Sequence, residues 1–321
     1  MNNKSPLVSI IAVCYNQEEF LKFTLDSIQN QTYSNLEVLI IDSYSKDNSY
    51  KLIEEYIISN NLGNWKVFKQ SKPTTICQNL NYGLSQISGE FYQVISCDDV
   101  ILPNKIESQI ANLSSNQIEY GLIYGDYSHI DEHGILIQED SLVLRKKGFS
   151  EGKFPPTGFV FCTILGSWYI HTLTCLIRTD AARSIGGYDE TLSYEDTDFI
   201  LRLSRSFPFL ASLDETAHYR ILSNSFFRSR SVEFYVSTCK LYLKHLDEVS
   251  CIKNVRRLAS HYFDTLFIMD HHASLKLYQE YESSSFEAYV SAYVLAFRIS
   301  GNKFLALKVK DFTKSIFKKW A

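Results

Sequence analysis

The chain has 321 residues, of which 45% are hydrophobic, so it is long and apolar enough to build one large domain or two smaller ones. Its net formal charge of -4 gives no reason to expect a nucleic-acid partner. None of its seven cysteines forms a Cys-x-x-Cys pair, which predicts reduced, buried thiols in a cytoplasmic protein and no zinc site. No apolar stretch approaches the ~20 residues of a membrane span, and the N-terminal residues do not resemble a signal peptide.

The first half of the chain alternates between strand and helix patterns. Residues 7–13 and 36–41 are apolar, β-prone runs that predict buried strands. Residues 20–28 and 52–57 follow these runs and carry their apolar side chains at helical spacing. Strand, helix, strand, helix is typical of a parallel sheet with crossover helices, so the sequence predicts an α/β fold.

A third apolar run, residues 91–95, ends in the sequence Ser96-Cys97-Asp98-Asp99. Two adjacent carboxylates at the end of a buried strand are costly unless a cation lies against them. In an open α/β sheet, ligands also bind at the carboxyl ends of the strands. A hard divalent ion carrying a diphosphate would satisfy both conditions. The alternative is a solvated turn or a helix cap, because Asp-Asp is common in turns.

The same edge of the sheet is expected to carry Tyr15 and Asp42, which follow the first two strands. No glycine precedes Gly63, so the first turn cannot hold a dinucleotide fingerprint, and no phosphate-binding loop is present. A diphosphate would therefore be held by metal and side chains. Asp42 suits a ribose or base as a hydrogen-bond acceptor and Tyr15 suits base stacking, with a helix cap and core packing as the respective alternatives.

Five segments in this order resemble glycosyltransferase family 2, the GT-A-fold group that uses nucleotide sugars. The resemblance covers roughly residues 7–222. It is carried by the motifs Val-Ser-Ile-Ile-Ala-Val-Cys-Tyr-Asn at 8–16, Asp-Ser-Tyr-Ser-Lys-Asp-Asn-Ser at 42–49, Asn-Tyr-Gly-Leu at 81–84, Ser-Cys-Asp-Asp at 96–99, and Gly-Gly-Tyr-Asp-Glu at 186–190 leading to Tyr-Glu-Asp-Thr-Asp at 194–198.

The resemblance implies a Rossmann-like, mostly parallel central sheet with flanking helices, and Mn²⁺ or Mg²⁺ held by Asp98. It also implies a set of donor-binding residues, namely Tyr15, Asn16, Asp42, Asn81, Ser96, Asp98, Asp99 and Arg220. The chain departs from the family pattern at several positions, including Tyr44 in place of a glycine and Gln78 in place of an acid. Ser96 and Ser43 replace acids, and Leu222 stands where a histidine often follows the Tyr-Arg pair.

A second acidic cluster, Glu195, Asp196 and Asp198, opens a predicted helix. The helix macrodipole explains one or two acids in a first turn but not three within four residues. A sugar hydroxyl that attacks an anomeric carbon must lose its proton, and a carboxylate within reach can accept it. By resemblance, Asp196 is the predicted base with Glu195 as the close alternative, and the transfer inverts the anomeric configuration. His171 is predicted on the acceptor side.

The sequence predicts three regions: a nucleotide-sugar-binding half at 1–99, an acceptor-binding half at 100–222 and a helical region at 223–321. Residues 145–165 are rich in Lys, Gly and Pro and predict a loop that shapes the acceptor site or closes over a substrate. The expected activity moves a hexose or N-acetylhexosamine from a nucleotide-diphosphate donor, a UDP-sugar, to a hydroxyl of a glycan or lipid-linked glycan. The alternatives are a nucleotidyltransferase-like enzyme and a non-catalytic binding protein, and a homo-oligomer stays open.

The C-terminal segment, residues 303–321, contains six lysines and one aspartate, a net formal charge of +5. Wound as a helix, it places one apolar stripe along its length, formed by Leu305, Val309, Phe312, Ile316 and Trp320. A basic helix with aromatic residues on its apolar face suits an anionic membrane surface. This pattern predicts peripheral association with the cytoplasmic face of a membrane. The alternative is that the stripe packs on the preceding helices.

Overall fold

The computed structural model describes residues 5–137, 144, 147, 155–167, 170–222, 230–281 and 285–320, with the backbone alone at 166, 167, 288, 289 and 315–320. The chain divides into two compact units. The larger unit comprises Met1–Glu190 and Tyr194–Ser225, and the C-terminal unit comprises Thr191–Ser193 and Phe226–Ala321.

The larger unit is built on one eight-stranded sheet with the strand order β3-β2-β1-β4-β7-β6-β8-β5. The strands are β1 (Val8–Cys14), β2 (Leu36–Asp42), β3 (Trp65–Lys69), β4 (Phe91–Ser96), β5 (Val100–Ile101), β6 (Leu122–Ile130), β7 (Cys175–Arg178) and β8 (Phe209–Arg220). Strands β1 to β4 pair in parallel, β6 pairs in parallel with β8, and β7 runs antiparallel between β4 and β6. The predicted mostly parallel sheet is therefore confirmed.

The register of the parallel strands decides where the polar residues lie. Cys14 of β1 pairs with Asp42 of β2, and Val13 pairs with Ser96 of β4. All seven residues of β1 are buried, as expected for a strand whose two faces are both covered. Asp42 and the Ser96–Asp99 turn therefore flank the end of β1 at one edge of the sheet, as the sequence predicts.

Helices connect these strands in the larger unit. They are α1 (Leu21–Gln29), α2 (Ser49–Ser59), α3 (Ile76–Gln86), α4 (Lys105–Ser114), α5 (Phe161–Ser167), α6 (Thr179–Ser184) and α7 (Asp196–Ser206). Helix α1 buries Leu21, Leu25 and Ile28, whose spacings of four and three residues place them on one face. Helix α3 begins with a capping box between Thr75 and Gln78, so Gln78 satisfies a backbone donor at the helix start.

Some elements differ from the sequence-based expectation. The sequence also predicts a small hairpin with arms at 128–130 and 135–137, but its first arm belongs to β6, which runs unbroken to Ile130 and bridges to Leu136 beyond the turn. Strands β3 and β8 were not predicted, because β3 is short and β8 interrupts its apolar residues with Asp214 and Glu215. Of the predicted loop at 145–165, residue 147 and residues 155–165 are described, and its end, residues 161–165, belongs to helix α5.

The C-terminal unit is helical in its described part, with α8 (Val232–Leu243), α9 (Ile252–Met269), α10 (His271–Glu280), α11 (Ala288–Ser300), α12 (Lys303–Trp320) and a 3₁₀ turn at Val249–Cys251. Its core packs aromatic and aliphatic side chains together, among them Tyr235, Phe263, Phe267, Tyr293 and Val294. No helix within the described ranges is long and apolar enough to cross a membrane.

The packing of α12 bears on the predicted apolar stripe. Ala306 is fully buried and Val309 packs partly against the core of the unit. Leu305 and Phe312 are 46% and 68% exposed. The packing alternative therefore does not account for Leu305 and Phe312, while the side chains of Ile316 and Trp320 lie outside the described residues.

Five of the seven cysteines are free, as the sequence predicts, whereas Cys162 and Cys251 are disulfide-bonded, so the prediction of reduced thiols is wrong for these two. Cys14, Cys77, Cys97, Cys175 and Cys239 are buried and free. Burial raises the pKa of the Cys77 thiol to about 12, so this group is neutral and unreactive at physiological pH.

Candidate active site

The turns after β1 and β2 are tied together by Asn16. Its backbone is left-handed, with φ of 52°, and its N–H donates to Ser45 Oγ at 3.0 Å. Its side-chain Oδ1 accepts from the Lys46 N–H at 2.7 Å. The neighbouring Tyr15 ring is 56% exposed at this edge. Asn16 thus links the two turns by hydrogen bonds. Tyr15 is exposed at this edge and is accessible to a ligand.

Asp42 is fully buried at the end of β2. Its Oδ1 accepts from the Ser45 N–H at 3.1 Å, whereas its Oδ2 is buried and has no hydrogen-bond partner among the described residues. Buried polar atoms in native proteins almost always have a hydrogen-bond partner, because leaving one unpaired costs free energy. The orphaned Oδ2 is therefore an acceptor that a bound N–H or O–H group would satisfy.

The residue after Asp42 is held by a small polar network. Asn79 Nδ2 donates to Ser43 Oγ at 2.8 Å, and Thr74 Oγ1 donates to Asn79 Oδ1 at 2.9 Å. Ser43 stands where the family pattern has an acid, and here it joins the end of β2 to helix α3. The substitution is thereby built into the packing of the fold.

Ser96 is also engaged by a neighbour. Gln17 Nε2 donates to Ser96 Oγ at 3.0 Å, and the Gln17 N–H donates to Ser49 Oγ at 3.0 Å. Gln17 thus bridges the ends of β1 and β4 to the start of α2. Sequence reasoning missed this residue, although its place directly after the Tyr-Asn pair was a signal.

The two adjacent aspartates have separate surroundings. Asp99 is buried, and its Oδ1 accepts from the Arg220 N–H at 2.9 Å. Burial raises the pKa of Asp99 well above its usual range, the Asp98 charge adds to this, and Arg220 opposes it. Asp98 is half-buried, and within the described part of the chain no donor binds its carboxylate. Asp98 is thus the carboxylate that remains accessible to a ligand.

Arg220 holds the turn that carries these aspartates. Its Nε donates to the Asp98 carbonyl at 2.7 Å, and its Nη1 donates to the carbonyls of Asp131 at 2.8 Å and Glu132 at 3.0 Å. Its guanidinium is buried and lies 4.9 Å from the Phe20 ring centroid. Most of the hydrogen-bond donors of this side chain therefore bind backbone carbonyls. Sequence reasoning did not predict this role.

Glu195 and Asp196 lie at the start of α7 with unlike surroundings. Asp196 Oδ1 accepts from Thr197, from its N–H at 2.5 Å and from its Oγ1 at 3.1 Å. Burial, reinforced by the Asp196 charge, raises the pKa of Glu195 to about 8. Burial lowers the pKa of His171 to about 4, opposed by the nearby Asp196 charge and reinforced by His129.

The turn that leads to Glu195 is fixed by contacts with Asn81. Asn81 Nδ2 donates to the Tyr188 carbonyl at 2.8 Å, and its Oδ1 accepts from the Tyr188 N–H at 2.8 Å. Gly187 has φ of 69°, and a Cβ there would lie 2.6 Å from Asn81 Oδ1. The Asn81 side chain, predicted to bind the donor, therefore makes these structural hydrogen bonds to the turn.

The third acid of this cluster also has a structural partner. Arg202 Nε pairs with Asp198 Oδ2 at 2.7 Å, and Asp198 is buried. Arg202 also donates to the Ile185 carbonyl at 2.9 Å and to the Gly187 carbonyl at 2.7 Å. Of the three acids, Glu195 and Asp196 are therefore the two suited to chemistry.

Four rings connect the two carboxylate centres. His171 lies 4.6 Å from the Tyr219 centroid and 5.1 Å from Tyr127, and His129 lies 5.9 Å from Tyr219 and 5.5 Å from Tyr127. Tyr219 directly precedes Arg220, which holds the Asp98 turn, while the Asp196 charge acts on His171. Of the four rings, sequence reasoning identified His171 alone. The Tyr-x-His alternation of β6, which puts both side chains on one face, was the available signal.

Residues 9–170 match the family model described as "Glycosyl transferase family 2". The chain belongs to glycosyltransferase family 2. An uncharacterised glycosyltransferase of Rickettsia typhi is 32% identical over 196 residues, which cover 60% of this chain and 57% of that protein. One from Rickettsia felis is 29% identical over 263 residues, which cover 79% of this chain and 41% of that protein. The chain thus spans about half of the length of these relatives.

Another relative has a more specific name. The Escherichia coli UDP-Glc:alpha-D-GlcNAc-diphosphoundecaprenol beta-1,3-glucosyltransferase WfgD is 32% identical over 130 residues, which cover 40% of this chain and 49% of that enzyme. The alignment covers less than half of either protein, as expected when two proteins share a family domain and differ elsewhere.

Solved structures share the fold. S. aureus TarS, residues 1–349 in complex with UDP-GlcNAc, aligns with a TM-score of 0.67 at 15% identity over 96% of this chain and 92% of that one. The mannosyltransferase PcManGT of Pyrobaculum calidifontis, in complex with GDP-Man and Mn²⁺, aligns with a TM-score of 0.58 at 13% identity over 97% and 85%. The predicted GT-A fold is confirmed.

The described side chains alone do not form a metal site, so a metal ion at Asp98 would need further ligand atoms from a bound molecule. Among the described residues, no group of three or more His, Cys, Asp or Glu side chains could hold an ion. Asp98 offers one accessible carboxylate at the edge of the sheet. Magnesium-type ions are often held by one or two carboxylates together with substrate phosphates, so this donor set fits such an ion when a diphosphate is bound.

Proposed function

We propose that this family 2 glycosyltransferase moves a sugar from a nucleoside-diphosphate donor to a hydroxyl of a glycan or lipid-linked glycan. The observation that carries the proposal is the pairing of two carboxylate centres within one unit. Asp42 and Asp98 lie at the edge of the sheet, and Glu195 and Asp196 lie beyond a bridge of aromatic rings. One centre suits a donor and the other suits proton transfer.

The donor side is proposed to read the nucleotide through Asp42 and Tyr15. The orphaned Asp42 Oδ2 would accept from a base N–H or a ribose O–H, and the exposed Tyr15 ring would stack on the base. A UDP-sugar is the favoured donor, since TarS binds UDP-GlcNAc and the WfgD name specifies UDP-Glc. Both a hexose and an N-acetylhexosamine fit the proposal.

Asp98 is proposed to hold Mn²⁺ or Mg²⁺ together with the donor diphosphate. When bound, the ion supplies neutralisation of the negative charge that develops on the departing diphosphate. The Mn²⁺ bound with GDP-Man in PcManGT supports this choice. The buried Arg220 contributes by holding the Asp98 turn in place, and its Nη2, which has no partner within the described part of the chain, is a remaining donor on that side.

The acceptor side is proposed to use Asp196 as the base. The acceptor oxygen attacks the anomeric carbon, its proton passes to an Asp196 oxygen, and the bond from that carbon to the diphosphate oxygen breaks with its electron pair. A pKa of about 8 keeps Glu195 protonated at neutral pH, and in that form this carboxyl group cannot accept the acceptor proton. A single displacement inverts the anomeric configuration.

The acceptor and the working location are proposed from one relative. The WfgD name gives a GlcNAc-diphosphoundecaprenol acceptor, a sugar carried on a membrane lipid. A lipid-linked glycan acceptor would place this enzyme at the cytoplasmic face of a membrane. His171, within the ring bridge next to Asp196, is the residue proposed to touch such an acceptor.

A donor screen tests the reaction class. The protein is incubated with Mn²⁺ and each of a panel of nucleotide sugars, and release of nucleoside diphosphate is measured with and without lipid-linked sugar acceptors. The proposal predicts release of the diphosphate, increased by one class of acceptor. In a separate incubation with a nucleoside triphosphate and a sugar phosphate, release of pyrophosphate would instead indicate a nucleotidyltransferase. Nucleotide-sugar binding without turnover on any acceptor would indicate a binding protein.

A further inference from the structure

The turn between α11 and α12 carries an exposed apolar surface, which we call the hairpin tip and define as Ile299, Phe304 and Leu305. These side chains are 78%, 67% and 46% exposed. Gly301, with φ of 63°, ends α11, so the three residues lie within seven positions around one reversal of the chain. Single exposed apolar residues are ordinary, but several large ones around one turn indicate an interaction surface.

Helix α12, which carries Phe304 and Leu305 of the hairpin tip, is basic. Residues 303–321 have a net formal charge of +5 in a chain whose net charge is -4. Lys310 and Lys314 lie 4.0 and 2.7 Å from Asp264 Oδ2, so the fold itself uses part of this charge. Lys308 is exposed, and its ammonium lies 4.8 Å from the Phe304 ring centroid. Positive charge therefore lies directly beside the apolar tip.

We propose that the hairpin tip inserts into the surface of an anionic lipid bilayer, with Lys308 at the level of the headgroups. Apolar side chains next to lysines suit the boundary between headgroups and acyl chains, where each Lys near an anionic surface adds attraction. The assignment extends beyond the α12 stripe to Ile299 on α11. It stands on exposure and charge, and does not depend on the proposed sugar transfer.

Charge favours a membrane over a second copy of the chain. In a two-fold symmetric dimer through the tip, the same surface would meet itself, and the basic segments would face each other. Like charges brought together across an interface oppose association. An anionic bilayer offers the opposite charge together with an apolar layer, so it matches both features of the tip.

Vesicle co-sedimentation tests the assignment with a matched control. The full chain is compared with a triple variant, Ile299→Ser, Phe304→Ser and Leu305→Ser, and with Ile58→Ser. Ile58 is 74% exposed on α2 of the larger unit, so its replacement removes a similar exposed side chain away from the tip. All three proteins are first compared by circular dichroism and thermal unfolding.

The expected result is binding to vesicles that contain phosphatidylglycerol, weakened by salt and weak on pure phosphatidylcholine. The triple variant should partition about tenfold less or weaker still, because three apolar side chains no longer leave water. Ile58→Ser should bind like the unaltered chain, and Lys308→Glu should lose binding on anionic vesicles.

Absence of binding at low salt, or equal binding by the triple variant, would overturn the assignment. A concentration-dependent dimer that the triple variant loses would overturn it as well, because the tip would then be a contact between copies. Nucleotide-sugar turnover in solution is measured on the same samples. It should be unchanged in the triple variant, so failure of the membrane assignment and failure of the proposed transfer remain distinguishable.

Discussion

The Arg220 N–H donates to Asp99 Oδ1 at 2.9 Å, across 121 residues of sequence. The same arginine donates through Nε to the Asp98 carbonyl. Arg220, the last residue of β8, therefore binds both aspartates of the turn that follows β4. The Asp98 carboxylate stays accessible. The Asp-Asp pair thus divides into a ligand-facing residue and a residue that supports the turn.

Replacement of the two aspartates should separate these roles. Asp98→Asn should abolish metal-dependent transfer with the fold intact, since an amide is a poor ligand for a hard cation. Asp99→Asn should keep most activity, because its raised pKa favours a neutral group and an amide oxygen can still accept from Arg220. Initial rates at saturating Mn²⁺ decide this, and equal loss in both variants would contradict the division.

Arg220→Lys should destabilise the protein although it keeps the charge. A lysine cannot reproduce the fork that reaches the carbonyls of Asp98, Asp131 and Glu132. Loss of two or three such hydrogen bonds to a buried cation should lower the free energy of unfolding by ~2–4 kcal/mol. Urea unfolding of both proteins measures the change, and an unchanged midpoint would show that these contacts contribute little.

The Gly-Gly-Tyr turn offers a matched pair of substitutions. Gly186 and Gly187 both have positive φ, but an added Cβ meets open space at Gly186 and Asn81 Oδ1 at 2.6 Å at Gly187. Each alanine carries the backbone strain of a left-handed residue, about 1–2 kcal/mol. Gly187→Ala should cost at least ~1 kcal/mol more in free energy of unfolding, because Asn81 must move. Equal losses of free energy of unfolding in the two variants would mean that the Asn81 side chain moves aside without a measurable cost.

The position of Asp42 and Asp98 at one edge of the sheet could be predicted from sequence. Asp42 and Asp98 each follow a buried strand, and the parallel order of strands brings strand ends together. The duties of Asp99 and Asn81 could not be predicted, because their partners Arg220 and Tyr188 lie more than a hundred residues away along the chain. Pairings of that kind depend on the completed packing, which a local pattern does not contain.

The pH dependence of turnover should identify the proton acceptor. Asp196→Asn should lower turnover by ~10²-fold or more with little change in donor affinity, because the base acts in the transition state. The pKa of Glu195 is raised to about 8, so turnover that needs its protonated form should fall as pH rises through that value. Glu195→Gln should keep activity and remove this alkaline fall. If Glu195→Gln is the more damaging change, the two roles are exchanged.

The same shift has a consequence for stability. A carboxyl whose pKa is higher in the folded state than in the unfolded state binds its proton more tightly when folded. Its contribution to the free energy of unfolding is therefore complete below pH 4.5 and is lost as pH rises toward about 8. Glu195→Gln should make the free energy of unfolding less dependent on pH in this window. Urea titrations at several pH values measure the slope, and an unchanged slope would contradict the assigned shift.

Calorimetric titration of UDP with and without Mn²⁺ tests the central claim most directly. If Asp98 and the diphosphate hold the ion together, Mn²⁺ should tighten UDP binding to the unaltered protein by about tenfold or more, since metal and diphosphate then bind cooperatively. In Asp98→Asn this gain should disappear while weak, metal-independent UDP binding persists through Asp42 and Tyr15. Equal UDP affinity with and without Mn²⁺ in the unaltered protein, or an undiminished gain in Asp98→Asn, would contradict the account.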